Sequence, residues 1–138
     1  MNWDSWRGSM DGRPVLWEKH LFCRWGCHID LHKMIGLDDP DCFHTHPAYA
    51  IRIILYGGYV DAMESGWLRT WRPGMMGIVE PSLSHRVARL RNGRVSYSLW
   101  IRFRKCAKVH LRGSGWQKQE QTYRVTDTVL VPPQRNRI

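Results

Sequence analysis

Residues 85–103 of the chain read HRVARLRNGRVSYSLWIRF, and this stretch decides the fold class. From residue 95 to residue 103, apolar side chains alternate with two serines, a tryptophan and an arginine, which is the two-residue period of a strand. Asn92-Gly93, just before that segment, is the dipeptide most typical of a two-residue hairpin turn. The stretch therefore predicts two antiparallel strands, over residues 85–90 and 95–103, joined by a tight turn.

Short strands of the same kind are predicted on the N-terminal side of this stretch. The segment from Cys27 to His32 alternates polar and apolar residues, and the isoleucine-rich segment from Tyr49 to Tyr56 ends at Gly57-Gly58. Residues 67–71 and 76–79 flank the turn signal Pro73-Gly74. Many short strands with glycine and proline turns, and no long helical stretch, predict an all-β sandwich or barrel. An immunoglobulin-type sandwich is the rival architecture.

The length and composition suit one ordinary globular domain. The chain has 138 residues, of which 43% are hydrophobic and 24% charged. We expect an irregular N-terminal arm over residues 1–26, a barrel over residues 27–131 and a flexible basic tail over residues 132–138. Apolar runs are far shorter than the ~20 residues that span a bilayer, and residues 1–26 lack the pattern of a secretory signal. We therefore expect no membrane span, a cytoplasmic location and four free cysteines.

The formal net charge of +9 and the sequence pI near 9.9 raise the question of nucleic-acid binding. Basic residues concentrate between residues 86 and 105, but strand alternation would place many of them on a solvated outer face. Nucleic-acid association is therefore the lesser alternative.

Three histidines are the strongest functional signal. His44 and His46 are two residues apart, so in an extended strand both imidazoles point to one side. His85 opens a later predicted strand, which an antiparallel barrel could bring opposite the first pair. A lone histidine is usually a surface residue or a satisfied core group, but this set predicts a divalent metal site, with Fe(II), Zn, Cu or Ni as suitable ions.

The pattern resembles the cupin superfamily. Gly36, His44-Thr45-His46 and Gly57 or Gly58 are similar to its first motif, and Gly74, Pro81 and His85 to its second. The glutamate of the first motif is missing, since its place falls on Ala50 or Ile51. The resemblance implies a double-stranded β-helix, or jelly-roll barrel, with a three-histidine metal site. It is similar to cupins that act as thiol dioxygenases or cleave diketones with Fe(II) and oxygen; Mn is a further candidate ion.

A narrower resemblance is to small cupin-like proteins found in phages and bacteria. It runs from Arg13-Pro14 through His44-Thr45-His46-Pro47 and Arg72-Pro73-Gly74 to Gly115-Trp116. Where that family often has Trp-Asp-Phe after its His-x-His-Pro, this chain has Ala48-Tyr49-Ala50, which alters the expected pocket wall. The likeness to cupins in general implies a possible homodimer, and if the protein is phage-encoded we expect it in the host cytoplasm.

Other residues are candidates for the pocket. Arg52 shares the predicted inward face with the vacant glutamate position, so it either holds an anionic group of a substrate or pairs with a structural carboxylate. Tyr49 is a second candidate catalytic residue. Trp100 and Arg102 are weaker pocket candidates, and Glu64 or Glu80 could be a fourth metal ligand.

A separate zinc site is a lesser hypothesis, based on Cys23, Cys27, His28 and His32. The spacing departs from the usual Cys-x-x-Cys knuckle, and a contact to Cys23 would need a turn at Trp25-Gly26. His32 could instead line the barrel and support the main site.

The sequence thus predicts a metal-binding protein with a small-molecule ligand, with an Fe(II)-dependent dioxygenase acting on a small anionic or thiol substrate as the leading reaction class. A metal-dependent binding or sensing module without turnover is the alternative, and a basic nucleic-acid-associated phage protein is a third.

Overall fold

The computed structural model describes residues 3–8, 13–113, 124–126 and 129–131, and in these ranges all the regular structure is β-strand. None of this described part forms a helix that could cross a membrane. The strands are β1 (Ser5–Gly8), β2 (Pro14–Arg24), β3 (Cys27–Met34), β4 (Phe43–His44), β5 (Ala50–Tyr56), β6 (Tyr59–Met63), β7 (Leu68–Trp71), β8 (Met76–Val79), β9 (His85–Leu90), β10 (Ser96–Arg102), β11 (Leu111–Arg112), β12 (Arg124–Thr126) and β13 (Val129–Val131). The predicted tail over residues 132–138 lies outside the described residues.

Two antiparallel sheets make up the body of the fold. One has six strands in the order β1-β2-β3-β10-β5-β8, and the other has five in the order β11-β4-β9-β6-β7. Strands that follow each other in the chain often lie in different sheets, as β4 and β5, β5 and β6, and β9 and β10 do. The all-β jelly-roll prediction is confirmed, and β12 and β13 form a separate two-stranded ribbon.

The core lies between the two sheets. Its members share apolar character and near-complete burial, and they come from strands of both sheets: Leu16, Met34, Ile54, Tyr59, Trp71, Val87 and Leu90. Burying apolar surface on this scale is the main favourable contribution to folding. Of the basic residues between positions 86 and 105, most are exposed as predicted, but Arg86 and Arg102 are partly buried.

The predicted hairpin at Asn92-Gly93 is wrong. β9 ends at Leu90 and pairs with β6 and β4, whereas β10 begins at Ser96 and pairs with β3 and β5, so the connection passes from one sheet to the other. The side-chain Oδ1 of Asn92 accepts hydrogen bonds from the backbone N–H groups of Arg94 (2.9 Å) and Val95 (3.0 Å). This Asx-type turn explains the asparagine without a two-residue hairpin.

The irregular arm predicted over residues 1–26 is also wrong, because β1 and β2 extend the six-stranded sheet. β2 pairs with β3 around Trp25-Gly26, where both residues have positive φ (53° and 76°), as tight hairpin turns require. Adjacent Val15 and Leu16 are both buried, and the register shifts between His20 and Phe22. Because these features break the two-residue alternation of a regular strand, the sequence pattern did not predict β2.

Candidate metal centre

Two neighbouring strands of the five-stranded sheet bring the three predicted histidines together. His44 in β4 lies directly opposite His85, the first residue of β9, and His46 follows β4 two residues later. The ring centroids are 4.8 to 5.1 Å apart, and Nε2 of His46 lies 2.7 Å from Nε2 of His85. His44 and His85 are buried and His46 is partly exposed. The predicted convergence is confirmed.

The arrangement fits a single first-row metal ion. Such ions hold imidazole nitrogens at about 2.1 Å, so two nitrogens on one ion stand roughly 3 to 4 Å apart. Here one ligand atom from each ring lies within 4.8 Å of the others, and the Nε2 atoms of His46 and His85 are 2.7 Å apart. These separations bracket the range that a shared ion requires.

The environment keeps two of these histidines neutral, which is the form that binds metals. Burial lowers the pKa of His44 well below its usual value, and the neighbouring His85 and Arg7 lower it further. Burial also lowers the pKa of His46, again with a contribution from His85. At neutral pH each ring therefore has a lone pair available for an ion.

Asp61 supports the cluster from behind, and the sequence reasoning did not identify it. Its Oδ1 lies 3.1 Å from Nδ1 of His85, and neither atom has another hydrogen-bond partner among the described residues. Burial alone would raise the pKa of Asp61, but His85 and Arg52 together lower it to about 2. A carboxylate behind a ligating histidine fixes the ring, leaving Nε2 for the metal. The only signal in the sequence was an aspartate inside the apolar segment Tyr59–Met63.

Arg52 is not at the cavity wall, which corrects its prediction as a catalytic residue. It is fully buried, and its Nη1 donates to Asp61 Oδ2 and to the Tyr59 hydroxyl, both at 2.7 Å. Its guanidinium also lies 4.3 Å from the ring centre of Trp71. The structure therefore favours the alternative role, in which Arg52 pairs with a structural carboxylate.

A cavity of about 210 Å³ opens beside the histidines, between the two sheets. Trp100 and Arg102 line it, as expected of these weaker candidates. Tyr49 does not, and its side chain is 50% exposed. Since Ala50, Arg52 and Ile54 occupy the inward positions of β5, the odd-numbered Tyr49 faces outward, and its predicted role in the pocket is wrong.

No carboxylate joins the three histidines among the described residues. Ala50 is buried at the vacant glutamate position. The exposed Glu64 has its carboxylate 3.9 Å from Arg112, and Glu80 is also exposed. The prediction of either one as a fourth ligand is not supported.

The separate zinc site predicted around Cys23 and His28 is not supported, because only two of its four candidate ligands are in contact. Cys23 Sγ lies 3.7 Å from His28 Nε2 across the turn at Trp25-Gly26, but in the described ranges only His44, His46 and His85 form a group of three potential ligands. His32 lines the cavity and stacks on Trp100 at 5.2 Å. Burial lowers its pKa to about 3, with Arg7 and Arg102 adding to the effect. The four cysteines are free thiols.

Comparison with known proteins identifies the fold. No family model and no curated protein matches the sequence. Among solved structures, a protein from Ralstonia eutropha JMP134, provisionally named a mannose-6-phosphate isomerase, matches with a TM-score of 0.59 and 22% identity over 67% of this chain and 88% of its own. A cupin domain from Bordetella pertussis Tohama I matches with a TM-score of 0.54 and 11% identity over 67% of this chain and 96% of its own.

A third similar structure is that of HppE in its Fe(II) form, with a TM-score of 0.56 and 11% identity. The match covers 67% of this chain and 52% of HppE. At these identities the likenesses concern the fold alone, and they show that the chain has the cupin fold that its histidine and glycine pattern predicted.

Proposed function

We propose that this cupin-fold protein binds one divalent metal ion through His44, His46 and His85. The observation that carries the proposal is the meeting of three imidazoles at one point, from two strands distant in sequence. Without a metal, the Nε2 atoms of His46 and His85, which are 2.7 Å apart, can pair only if one ring donates its proton to the lone pair of the other. An ion satisfies all three lone pairs together.

Iron is the ion we propose, with Zn, Ni, Cu and Mn as alternatives. Three neutral imidazoles suit several first-row ions, and the likeness to HppE in its Fe(II) form favours iron among them. Fe(II) held there would supply open coordination positions and redox chemistry with oxygen. The reaction class we propose is dioxygenation of a small anionic or thiol compound.

The protein's own side chains would prepare the site for that chemistry. Asp61 holds the ring of His85, and the buried Thr45, between the two other ligands, accepts a hydrogen bond at Oγ1 from the backbone N–H of His110 (2.8 Å). Trp100 and the neutral His32 form part of the cavity wall beside His46. This wall would exclude bulk water from one side of the bound molecule, which strengthens polar interactions inside the cavity.

The metal proposal is tested by elemental analysis of protein purified without added metal. We expect close to one equivalent of a first-row metal in the native chain and loss of most of it in a His46→Ala variant. A His110→Ala variant is the matched control, because that side chain is exposed and outside the cluster. Equal metal content in all three proteins would contradict the proposal.

The reaction is tested separately by oxygen uptake. The iron-loaded protein would be mixed with a panel of thiols and diketones, and we expect uptake with at least one compound and none from the His46→Ala variant. Inertness toward the whole panel, in protein shown to contain iron, would count against the dioxygenase.

Metal-dependent binding or sensing without turnover is the second candidate. It is favoured by the cavity wall, where the carboxylates of Glu18, Asp30 and Asp38 each have a partner within the protein and so form fixed parts of a binding wall. Retention of a ligand without product formation would support it. Nucleic-acid binding that weakens steeply with salt, a homodimer and a cytoplasmic location stay predictions.

A further inference from the structure

The cavity beside the histidines has both an apolar lining and charged side chains. Its apolar part includes Leu16, Met34, Val87 and Trp100. Its charged part, apart from the histidines, consists of two arginines and three carboxylates: Arg7, Arg102, Glu18, Asp30 and Asp38. Which of these charges is available to a ligand depends on which are already paired inside the protein.

Two of the carboxylates and one of the arginines are paired. Asp38 accepts hydrogen bonds from Arg7 Nη2 at 2.9 Å and from the backbone N–H of Val87 at 2.7 Å. Asp30 lies 2.7 Å from Nδ1 of His20. Asp38 therefore balances the charge of Arg7 within the wall, and Asp30 already has the ring of His20 as a contact.

Glu18 is also engaged, and Arg102 is left over. Glu18 accepts a hydrogen bond from the Ser5 hydroxyl at 3.0 Å, and its other oxygen lies 4.0 Å from Nε2 of His32. Arg102 has no carboxylate or hydrogen-bond partner for its side chain among the residues that the structure describes, although it is partly buried and lines the cavity. An arginine at a cavity wall without a protein partner keeps its N–H donors available for an anionic ligand.

The backbone explains why Arg102 reaches the cavity. β10 is paired on both sides, with β3 and with β5, so its alternation is fixed by two neighbours. Ser98, Trp100 and Arg102 share one face of β10, and Trp100 and Arg102 both line the cavity. The arginine is therefore held on the same wall as the indole that contacts His46.

We infer that Arg102 binds the negatively charged group of the ligand, which makes the ligand a small organic anion, most simply a carboxylate. The inference rests on the proposed function, since it concerns the same cavity and refines its substrate class. A guanidinium presents parallel N–H groups that match a carboxylate in a two-pronged contact. The cavity of about 210 Å³ is smaller than the roughly 300 Å³ at which pockets for drug-sized ligands begin, so the ligand has few heavy atoms.

Calorimetric titration with butyrate and benzoate, each compared with its uncharged amide, tests the inference. Both the metal-free and the Zn-loaded protein would be titrated, because Zn performs no redox chemistry. We expect Arg102→Gln to weaken carboxylate binding by about 10- to 100-fold and to leave amide binding unchanged. Arg102→Lys should lose less carboxylate affinity than Arg102→Gln, because lysine keeps the positive charge but not the paired N–H donors of the guanidinium.

Arg104→Gln is the matched control. It makes the same substitution two residues further along the chain, at a position that is exposed and outside the cavity wall. Equal carboxylate binding by the native and Arg102→Gln proteins, or a native protein that binds butyrate and benzoate no better than their amides, overturns the inference. Equal weakening by Arg104→Gln also overturns it. A failure of metal binding alone appears in the elemental analysis and leaves the comparison in metal-free protein intact.

Discussion

Asp61 connects the metal centre to a buried charge pair. Its Oδ1 faces His85 while its Oδ2 accepts hydrogen bonds from Arg52 and from the indole N–H of Trp71 (3.0 Å). Both Asp61 and Arg52 are fully buried, and two nitrogens of Arg52 have no hydrogen-bond partner among the described residues. The same carboxylate therefore orients His85, a candidate metal ligand, and compensates the buried charge of Arg52.

We predict that Asp61→Asn weakens both metal binding and folding. Metal affinity should fall by about 10- to 100-fold, because His85 loses the carboxylate behind its ring. The free energy of unfolding should fall by about 3 to 5 kcal/mol, because Arg52 keeps a buried charge without its carboxylate partner. Competition with a chromogenic chelator and urea unfolding measure the two effects.

Tyr59→Phe is the control for this prediction, because it removes only the hydroxyl that Arg52 also contacts. It should cost about 1 kcal/mol and leave metal affinity unchanged. If Asp61→Asn bound metal as tightly as the native chain, the orienting role of the carboxylate would be wrong even if the stability loss were observed.

At this scale the sequence predicts some site residues and misses others for identifiable reasons. His44 and His46 follow from the rule that residues two apart share a face, and His85 from its place at the start of a later predicted strand that a barrel could bring opposite them. The inward position of Arg52 was predicted correctly, but not that Asp61 would engage its charge. That partner comes from a different sheet, so no local pattern reveals it.

Among the elements, the connection between β5 and β6 is a tightly constrained turn. Gly57 and Gly58 have φ values of 74° and 87°, and a Cβ on Gly58 would lie 2.1 Å from the backbone oxygen of Trp71. The sequence predicted a turn here and placed the strands at residues 76–79 and 85–90 correctly. It could not show that β5 and β6 belong to different sheets, because a turn signal does not specify the partner of the next strand.

We predict that Gly58→Ala lowers the free energy of unfolding by about 3 kcal/mol or more, since backbone clash adds to the strain of positive φ. Gly93→Ala is the comparison, because Gly93 also has positive φ (70°) but nothing lies within 4 Å of its Cβ position. That variant should lose only about 1 kcal/mol. Urea unfolding of both variants measures the two losses in free energy. If the losses were similar, the backbone clash at Trp71 would have to relax easily.

At the scale of the whole molecule, one sheet supplies the candidate metal ligands and the other supplies part of the cavity wall. His44 and His85 lie in β4 and β9 of the five-stranded sheet, and His46 follows β4 by two residues. The cavity residues Trp100, Arg102 and His32 belong to the six-stranded sheet. Turn spacing and alternation in the sequence were enough for the all-β class. They were not enough for the strand order or for β1 and β2, because pairing between distant segments depends on tertiary packing.

This division predicts how metal binding affects stability. β4 has only two residues and pairs with β9 through His44 and His85 alone, so an ion bound by these histidines would join a weakly held segment to the sheet. A ligand at 100 times its Kd stabilises the folded state by ~2.7 kcal/mol. For a domain of this size we expect the Tm to rise by roughly 5 to 15 °C with Zn(II) or anaerobic Fe(II) at that excess. Calorimetry with and without EDTA measures the shift, and the His46→Ala variant should show little of it. A rise of the same size in that variant would mean that the metal acts elsewhere on the chain.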